Sequence, residues 1–148
     1  MIVPVVKIQR MRQSSLPIPR YQSEQAAGLD LMADLDGTLT LTPLARAAIP
    51  TGIAVEIPAG FEGQVRPRSG RALEEGLTLV NAPGTIDADY RGEIKVIAIN
   101  LGERPIVIKS GDRVAQLVIA PVARAQIVEV EHLGHSARGD GGFGHSGR

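Results

Sequence analysis

The 148-residue chain has no cysteine and no tryptophan. Disulfides, a thiolate nucleophile and a cysteine-based zinc site are therefore excluded. Aromatic residues amount to Tyr21, Phe61, Tyr90 and Phe143, so the core must be built from Val, Ile, Leu and Ala. Lysine occurs only at 7, 95 and 109, while the other thirteen of the 16 basic residues are Arg, the side chain suited to bidentate contacts with carboxylate or phosphate. There is no excess of either charge, since 16 acidic residues balance the basic ones. That balance gives no general attraction to nucleic acid or membrane, and neither is expected as a partner. No run approaches the roughly 18 apolar residues of a membrane span. The apolar start before Lys7, Arg10 and Arg12 is too short for a secretory signal, so a soluble cytoplasmic protein is expected. In that setting the tripeptide Arg138-Gly139-Asp140 reads as a chance copy of an adhesion motif.

What is present is a series of short Val- and Ile-rich runs broken by Pro and Gly: "IVPVVKI", "TGIAVEIPAG", "FEGQVRPRSG", "LTLVNAPG", "EIKVIAINLGERP", "IVIKSGD", "RVAQLVIAPV" and "AQIVEVE". These read as strands. Ile53, Val55 and Ile57 alternate with small or charged residues, the period of a half-buried strand. In "EIKVIAIN" both parities are apolar, which predicts cover on both faces. Two segments have helical character: 69–76, with Ser69 as N-cap and Gly76 as stop, and a weaker one at 42–49. Many brief strands separated by turn signals predict one all-β domain, a sandwich, jelly roll or barrel.

Several clusters could carry chemistry. Asp87 and Asp89 lie between two strands, where Asp is an ordinary turn residue. Yet Ile86 and Tyr90 flank them, and a solvated turn needs neither; a loop walling a pocket would offer a general base and a ring to pack on a sugar or base. Arg66, Arg68 and Arg71 surround a Ser-Gly that opens the first helix, which is either a capped surface helix or an anion site. Asp30, Asp34 and Asp36 are hard oxygen donors suited to Mg²⁺, with the spacing of no calcium loop. His132 and His135 have no third candidate ligand nearby and read as exposed. A Ser69, His145 and Asp87 triad lacks a nucleophile elbow, and no GxxxxGK(S/T) or GxGxxG signature occurs. The end, "RGDGGFGHSGR" at 138–148, is either a frayed terminus or an arm that orders on a ligand.

In chain order stand "AGLDLMA" at 27–33, "PRSG" at 67–70, "NAPGTIDADYRGE" at 81–93, "GDRVAQLV" at 111–118 and "RGDGGFGHSG" at 138–147. This succession, spread over nearly the whole chain, resembles the five ordered motifs of the trimeric all-β dUTPases. The resemblance implies a distorted jelly roll over 1–137 and a flexible arm over 138–148. It implies hydrolysis of dUTP to dUMP and pyrophosphate, with Mg²⁺ chelated by the three phosphates. Asp87 would activate the attacking water, and Asp30 would hold the metal through water. Arg68, Ser69, Gly70 and Gln116 would bind phosphate oxygens. Asn81 and the backbone of Gly84, Thr85 and Ile86 would read uracil, and Tyr90 would pack where a 2′-hydroxyl would sit. In the arm, Phe143 would stack on uracil while Arg138, Gly144, His145 and Ser146 meet the γ-phosphate. Three chains would share three sites in a homotrimer.

Two positions depart from the family pattern. His145 stands where a small hydroxyl residue is common, and Arg71 where an aliphatic one is usual. Ser146 still supplies a hydroxyl, and His145 would add a pH-dependent contact. A dCTP deaminase shares the fold and would betray itself by ammonia release. A nucleotide-binding module without turnover would have no need of Asp87.

Overall fold

The computed structural model describes residues 3–147. Ile2 of the first expected strand and Arg148 of the arm lie outside the described residues. In chain order the elements are β1 Lys7–Arg10, β2 Gly28–Met32, β3 Thr38–Leu41, β4 Arg46–Glu56, β5 Phe61–Arg66, α1 Ser69–Glu75, β6 Leu77–Leu79, β7 Gly84–Ile86, β8 Glu93–Asn100, β9 Ile106–Lys109 and β10 Arg113–Pro121. They form two four-stranded sheets, β1-β4-β8-β6 and β2-β10-β5-β7, with the pair β3-β9 as a third, small sheet. All the ladders are antiparallel. This is the all-β architecture the strand pattern predicts.

The core between the sheets is aliphatic. Leu31 and Leu117 from one sheet and Ile49, Ile94 and Val96 from the other are buried, with Ile108 of the small sheet among them. Phe61 is only half-buried at its margin, so the scarcity of aromatics is met by branched side chains. Fully burying one such side chain contributes about 1.5–3 kcal/mol. Among the described residues Thr51 and Asn100 are the buried polar ones: the Thr51 hydroxyl donates to the Ile94 carbonyl, while the Asn100 amide donates to the carbonyls of Leu41 and Arg104 and accepts from the Gly102 N–H, tying β8 to the turns around it.

Several sequence expectations require correction. Residues 42–49 are not helical: Leu44 takes φ 67, and the chain then enters β4, whose long ladder with β8 overrides the local helical tendency. Helix α1 is present, but its N-cap is Arg68, extended at φ −94 and ψ 128; Ser69 is the first helical residue and makes no capping bond. Gly76 does end the helix, in the left-handed region at φ 75, and its N–H reaches back to the carbonyl of Ala72. Of "IVPVVKI" only its end enters β1. The "AQIVEVE" run forms no strand, because nothing in the single chain pairs with it; residues 121–131 are exposed. In β8 one face is buried through Ile94, Val96 and Ala98, while Ile97 is exposed and Ile99 half-buried, so this chain alone covers one side. Strands β2 and β3 were not legible as separate runs.

Candidate active site

The sheet β2-β10-β5-β7 carries the candidate residues of four motifs. Asp30 on β2 sits opposite Gln116 on β10, and Gln116 sits opposite Arg66 on β5. Two residues past Arg66 the chain reaches Arg68 and turns into α1. Arg68 Nε lies 3.1 Å from Asp30 Oδ1, and Arg113 lies 3.4 Å from the other carboxylate oxygen. The Asp30 side chain is only 14% exposed, so this pairing compensates a carboxylate largely withdrawn from water. The Gln116 amide donates to the Pro67 carbonyl at 3.0 Å, and its oxygen occupies the space a Cβ on Gly28 would fill. A glycine in "AGLD" is thereby explained by close packing. Ser69 and Gly70 are exposed at the helix start beside this corner.

Arg71 pairs with Glu75 at 2.6 Å along one face of α1, the i,i+4 arrangement that supports a helix. It borders a shallow depression with Arg68, Lys109 and Arg113, so the departure from an aliphatic residue adds an ion pair at the rim.

At the far edge of the same sheet, β7 is a three-residue strand paired with β5. The turn before it contains a cis Ala82–Pro83 peptide, and Asn81 Nδ2 lies against Gly84. Thr85 is exposed, while Ile86 packs on the core. Asp87 follows directly and lines an open depression of about 550 Å³ with Phe61, Glu62, Asp89 and Arg124. Tyr90 N–H donates to the Asp87 carbonyl at 3.1 Å, and the Tyr90 hydroxyl donates to the Glu93 carbonyl at 3.0 Å. Arg91 closes the turn by donating to the carbonyls of Ala88 and Tyr90 at 2.7 and 3.0 Å. The loop is fixed, yet its carboxylate is exposed.

The arm is arranged differently. Arg138 donates to the Gly141 carbonyl, and short turns link Gly142 to His145 and Gly144 to Gly147. Phe143 is fully exposed with φ 45, and Gly139, Gly144 and Gly147 also have positive φ. Ser146 is exposed, as are His132 and His135 before the arm. Among the described residues no hydrogen bond brings Ser69, Asp87 and His145 together.

The family model described as dUTPase matches residues 14–147. The chain belongs to the dUTPase family. It is 54% identical over 144 residues to the deoxyuridine 5'-triphosphate nucleotidohydrolase of Caldanaerobacter subterraneus subsp. tengcongensis, covering 97% of each chain. The corresponding enzyme of Syntrophotalea carbinolica is 55% identical over 142 residues, with 96% of both chains covered. Among solved structures, the dUTPase of Staphylococcus bacteriophage 80alpha with dUPNHPP superposes at TM-score 0.87 and 27% identity, over 97% of this chain and 99% of that one. A mutant dUTPase from phage phi11 of S. aureus, described with a structural Mg(II) ion, shares the fold at TM-score 0.77 and 24% identity, over 86% and 97% of the two chains.

Within one dUTPase chain, then, the structure brings Asp30, Arg68 and Gln116 together at one corner, with Ser69 and Gly70 beside it. It gathers Asn81, Gly84, Thr85, Ile86, Asp87 and Tyr90 at another. Arg138, Phe143, Gly144, His145 and Ser146 make no hydrogen bond or ion pair with either corner among the described residues. Sequence reasoning missed Arg113, the second cation on Asp30; its place in "GDRVAQLV", three residues before Gln116, was the available signal. It also missed Arg12, whose guanidinium lies 2.8 Å from Asp34 and 3.0 Å from Glu93. Asp34 thereby becomes part of a structural network, with Asp36 left exposed. The contact with Arg12 is off-line for a hydrogen bond, so the buried Asp34 Oδ2 has no donor among the described residues.

Proposed function

We propose that the chain hydrolyses dUTP to dUMP and pyrophosphate, with Asp87 as the general base. The observation that carries this reading is the fixed loop that presents an exposed carboxylate at Asp87 with an aromatic wall, Tyr90, three residues on. Family membership over residues 14–147 supplies the substrate class. Water attacks the α-phosphorus, the bond from that phosphorus to the bridging oxygen breaks, and pyrophosphate leaves while Asp87 takes the water's proton. Arg68, the hydroxyl of Ser69 and the N–H of Gly70 bind phosphate oxygens, and Gln116, which has one amide hydrogen beyond its bond to Pro67, adds another donor. Asn81 and the backbone of Gly84, Thr85 and Ile86 read the uracil edge. Donors facing donors then reject cytosine, by about 10⁴-fold for a site built on hydrogen bonds.

The donor set fits a hydrated cation. Among the described residues no three His, Cys, Asp or Glu gather, and Asp30 is already shared by two guanidinium groups. A metal there would be held through waters, which suits Mg²⁺, an ion that dehydrates reluctantly. When bound, Mg²⁺ neutralises charge on the triphosphate. Asp30 would hold its water shell, and it pairs with Arg68 at 3.1 Å.

Three observations support a homotrimer with shared sites. Asp87 and Arg68 border different depressions of one chain, the arm meets neither, and Ile97, Val80 and Leu101 leave apolar surface uncovered. In this reading residues 1–137 form the body, and the arm from Arg138 closes over nucleotide, with Phe143 on uracil and Arg138, Gly144, His145 and Ser146 on the γ-phosphate. The physiological role is to limit uracil in DNA and supply dUMP, in the cytoplasm. No described helix is long and apolar enough to cross a membrane.

The test is incubation with Mg²⁺ and, separately, dUTP, dCTP, dTTP and UTP, with every product identified by chromatography. The expected result is dUMP and pyrophosphate from dUTP alone. Ammonia from dCTP would instead identify a deaminase, and no turnover a binding module.

A further inference from the structure

We propose that Gly92 determines sugar specificity by giving the Tyr90 ring its seat. The inference rests on the reading of Tyr90 as the wall beside the deoxyribose. To donate to the Glu93 carbonyl at 3.0 Å, the Tyr90 side chain folds back across the backbone of Gly92. A Cβ on Gly92 would fall 2.6 Å from Tyr90 Cζ and 3.0 Å from Cε2, and closer still to the hydroxyl. Gly92 is not among the glycines with positive φ, so its backbone is open to alanine. What forbids a side chain there is the ring.

The loop that carries the ring is held at both ends. Glu93 accepts the Gly52 N–H at 2.8 Å and pairs with Arg12, and it stands opposite Ala54 in the β4–β8 ladder. At the other end, Tyr90 N–H and the Arg91 guanidinium tie the turn to the carbonyls of Asp87, Ala88 and Tyr90. With both ends held, the ring lies on Gly92 while Tyr90 as a residue stays 43% exposed, leaving it accessible to a ligand. Gly92 and Glu93 are positioning residues: they act through Tyr90 and touch no substrate atom.

Because the three atoms nearest a Cβ at Gly92 all belong to the movable Tyr90 side chain, Gly92→Ala should fold and simply swing the ring off its seat. A 2′-hydroxyl then finds room. The test measures kcat/KM for dUTP and UTP on the full chain with Mg²⁺, for wild type, Gly92→Ala, Tyr90→Ala and the double variant, alongside thermal midpoints. Gly92→Ala is expected to raise the UTP-to-dUTP ratio about 10-fold, from the weak rejection a pocket gives an added hydroxyl. In the Tyr90→Ala background the same substitution should change nothing further, the signature of coupling through the ring. If Tyr90→Ala raises the ratio while Gly92→Ala does not, or if Gly92→Ala acts equally without the ring, the role of Gly92 is overturned and the sugar wall stands. If Tyr90→Ala leaves the ratio unchanged, both fall. Should Gly92→Ala fail to fold, Tyr90→Phe carries the test: losing the bond to Glu93 must raise the ratio, and an unchanged ratio refutes the seat.

Discussion

Tyr90 and Phe143 both stand outside the core in glycine-containing turns, but Tyr90 is hydrogen-bonded at its hydroxyl and seated on Gly92, whereas Phe143 has nothing under it. The loop around Asp87 is held by a sheet edge, the Arg91 staple and the Glu93 anchor; among the described residues the arm is held only by its own local turns. A group that must hold a proton acceptor in register gains from a fixed mount, since small misplacements are costly in rate. A group that covers the substrate must let it enter and leave, which favours a loose one.

The contrast can be broken by experiment. Its largest expected consequence is at Asp87: Asp87→Asn should lower kcat by about 10²–10⁴-fold, the range for a positioned general base, with dUTP binding kept. Equal turnover would remove Asp87 from its role. Truncation after Ala137 should lower kcat/KM by roughly 10²–10³-fold, from lost stacking and phosphate contacts, and leave the thermal midpoint where it was. A midpoint that falls by several degrees would mean the arm belongs to the fold after all. Gly52→Ala attacks the fixed side, because Gly52 has φ 70 and a Cβ would run into the Asp34 carboxylate. A cost of about 2 kcal/mol is expected, or roughly 4–8 °C in calorimetry. Phe143→Ala should raise KM roughly 10-fold with no change in midpoint, as loss of one base–ring stack predicts.

The smallest effect is expected at Glu56. The Lys7 ammonium, 2.8 Å away, holds this carboxyl below its ordinary value by hydrogen bond and charge. A lowered folded-state value means the pair's contribution is present at neutral pH and is lost as pH falls through that value. Both side chains are exposed, so Glu56→Gln should leave the neutral-pH midpoint within error of wild type. A clear drop would show that β1 depends on this pair.

The all-β class was legible because Ile53, Val55 and Ile57 alternate and because Gly and Pro punctuate the runs. The candidate site was legible as motif order, since Asp30, Arg68, Gln116 and Asp87 each sit in a recognisable segment. Long-range pairing was not legible. Residues 46–49 look helical locally and become strand only because β8 lies beside them, and Ile97 looks like core but faces outward in this chain. The partners of Arg12 and Arg113 come from strands distant in sequence, and no local pattern encodes such contacts.

The last backbone hydrogen bond from the C-terminal segment to the body is Val122 N–H to the Gly60 carbonyl; beyond it, among the described residues, all are local. Every described residue past that point is exposed but for Gly141. A single proteolytic nick there would leave a particle that melts normally and yet lacks the arm proposed to close over nucleotide. Thermal shift would pass such a preparation as sound, and only intact mass or a turnover assay would expose it. The same uncoupling lets a residue such as His145 change without disturbing the fold, because no contact of its own reaches the packed sheets among the described residues.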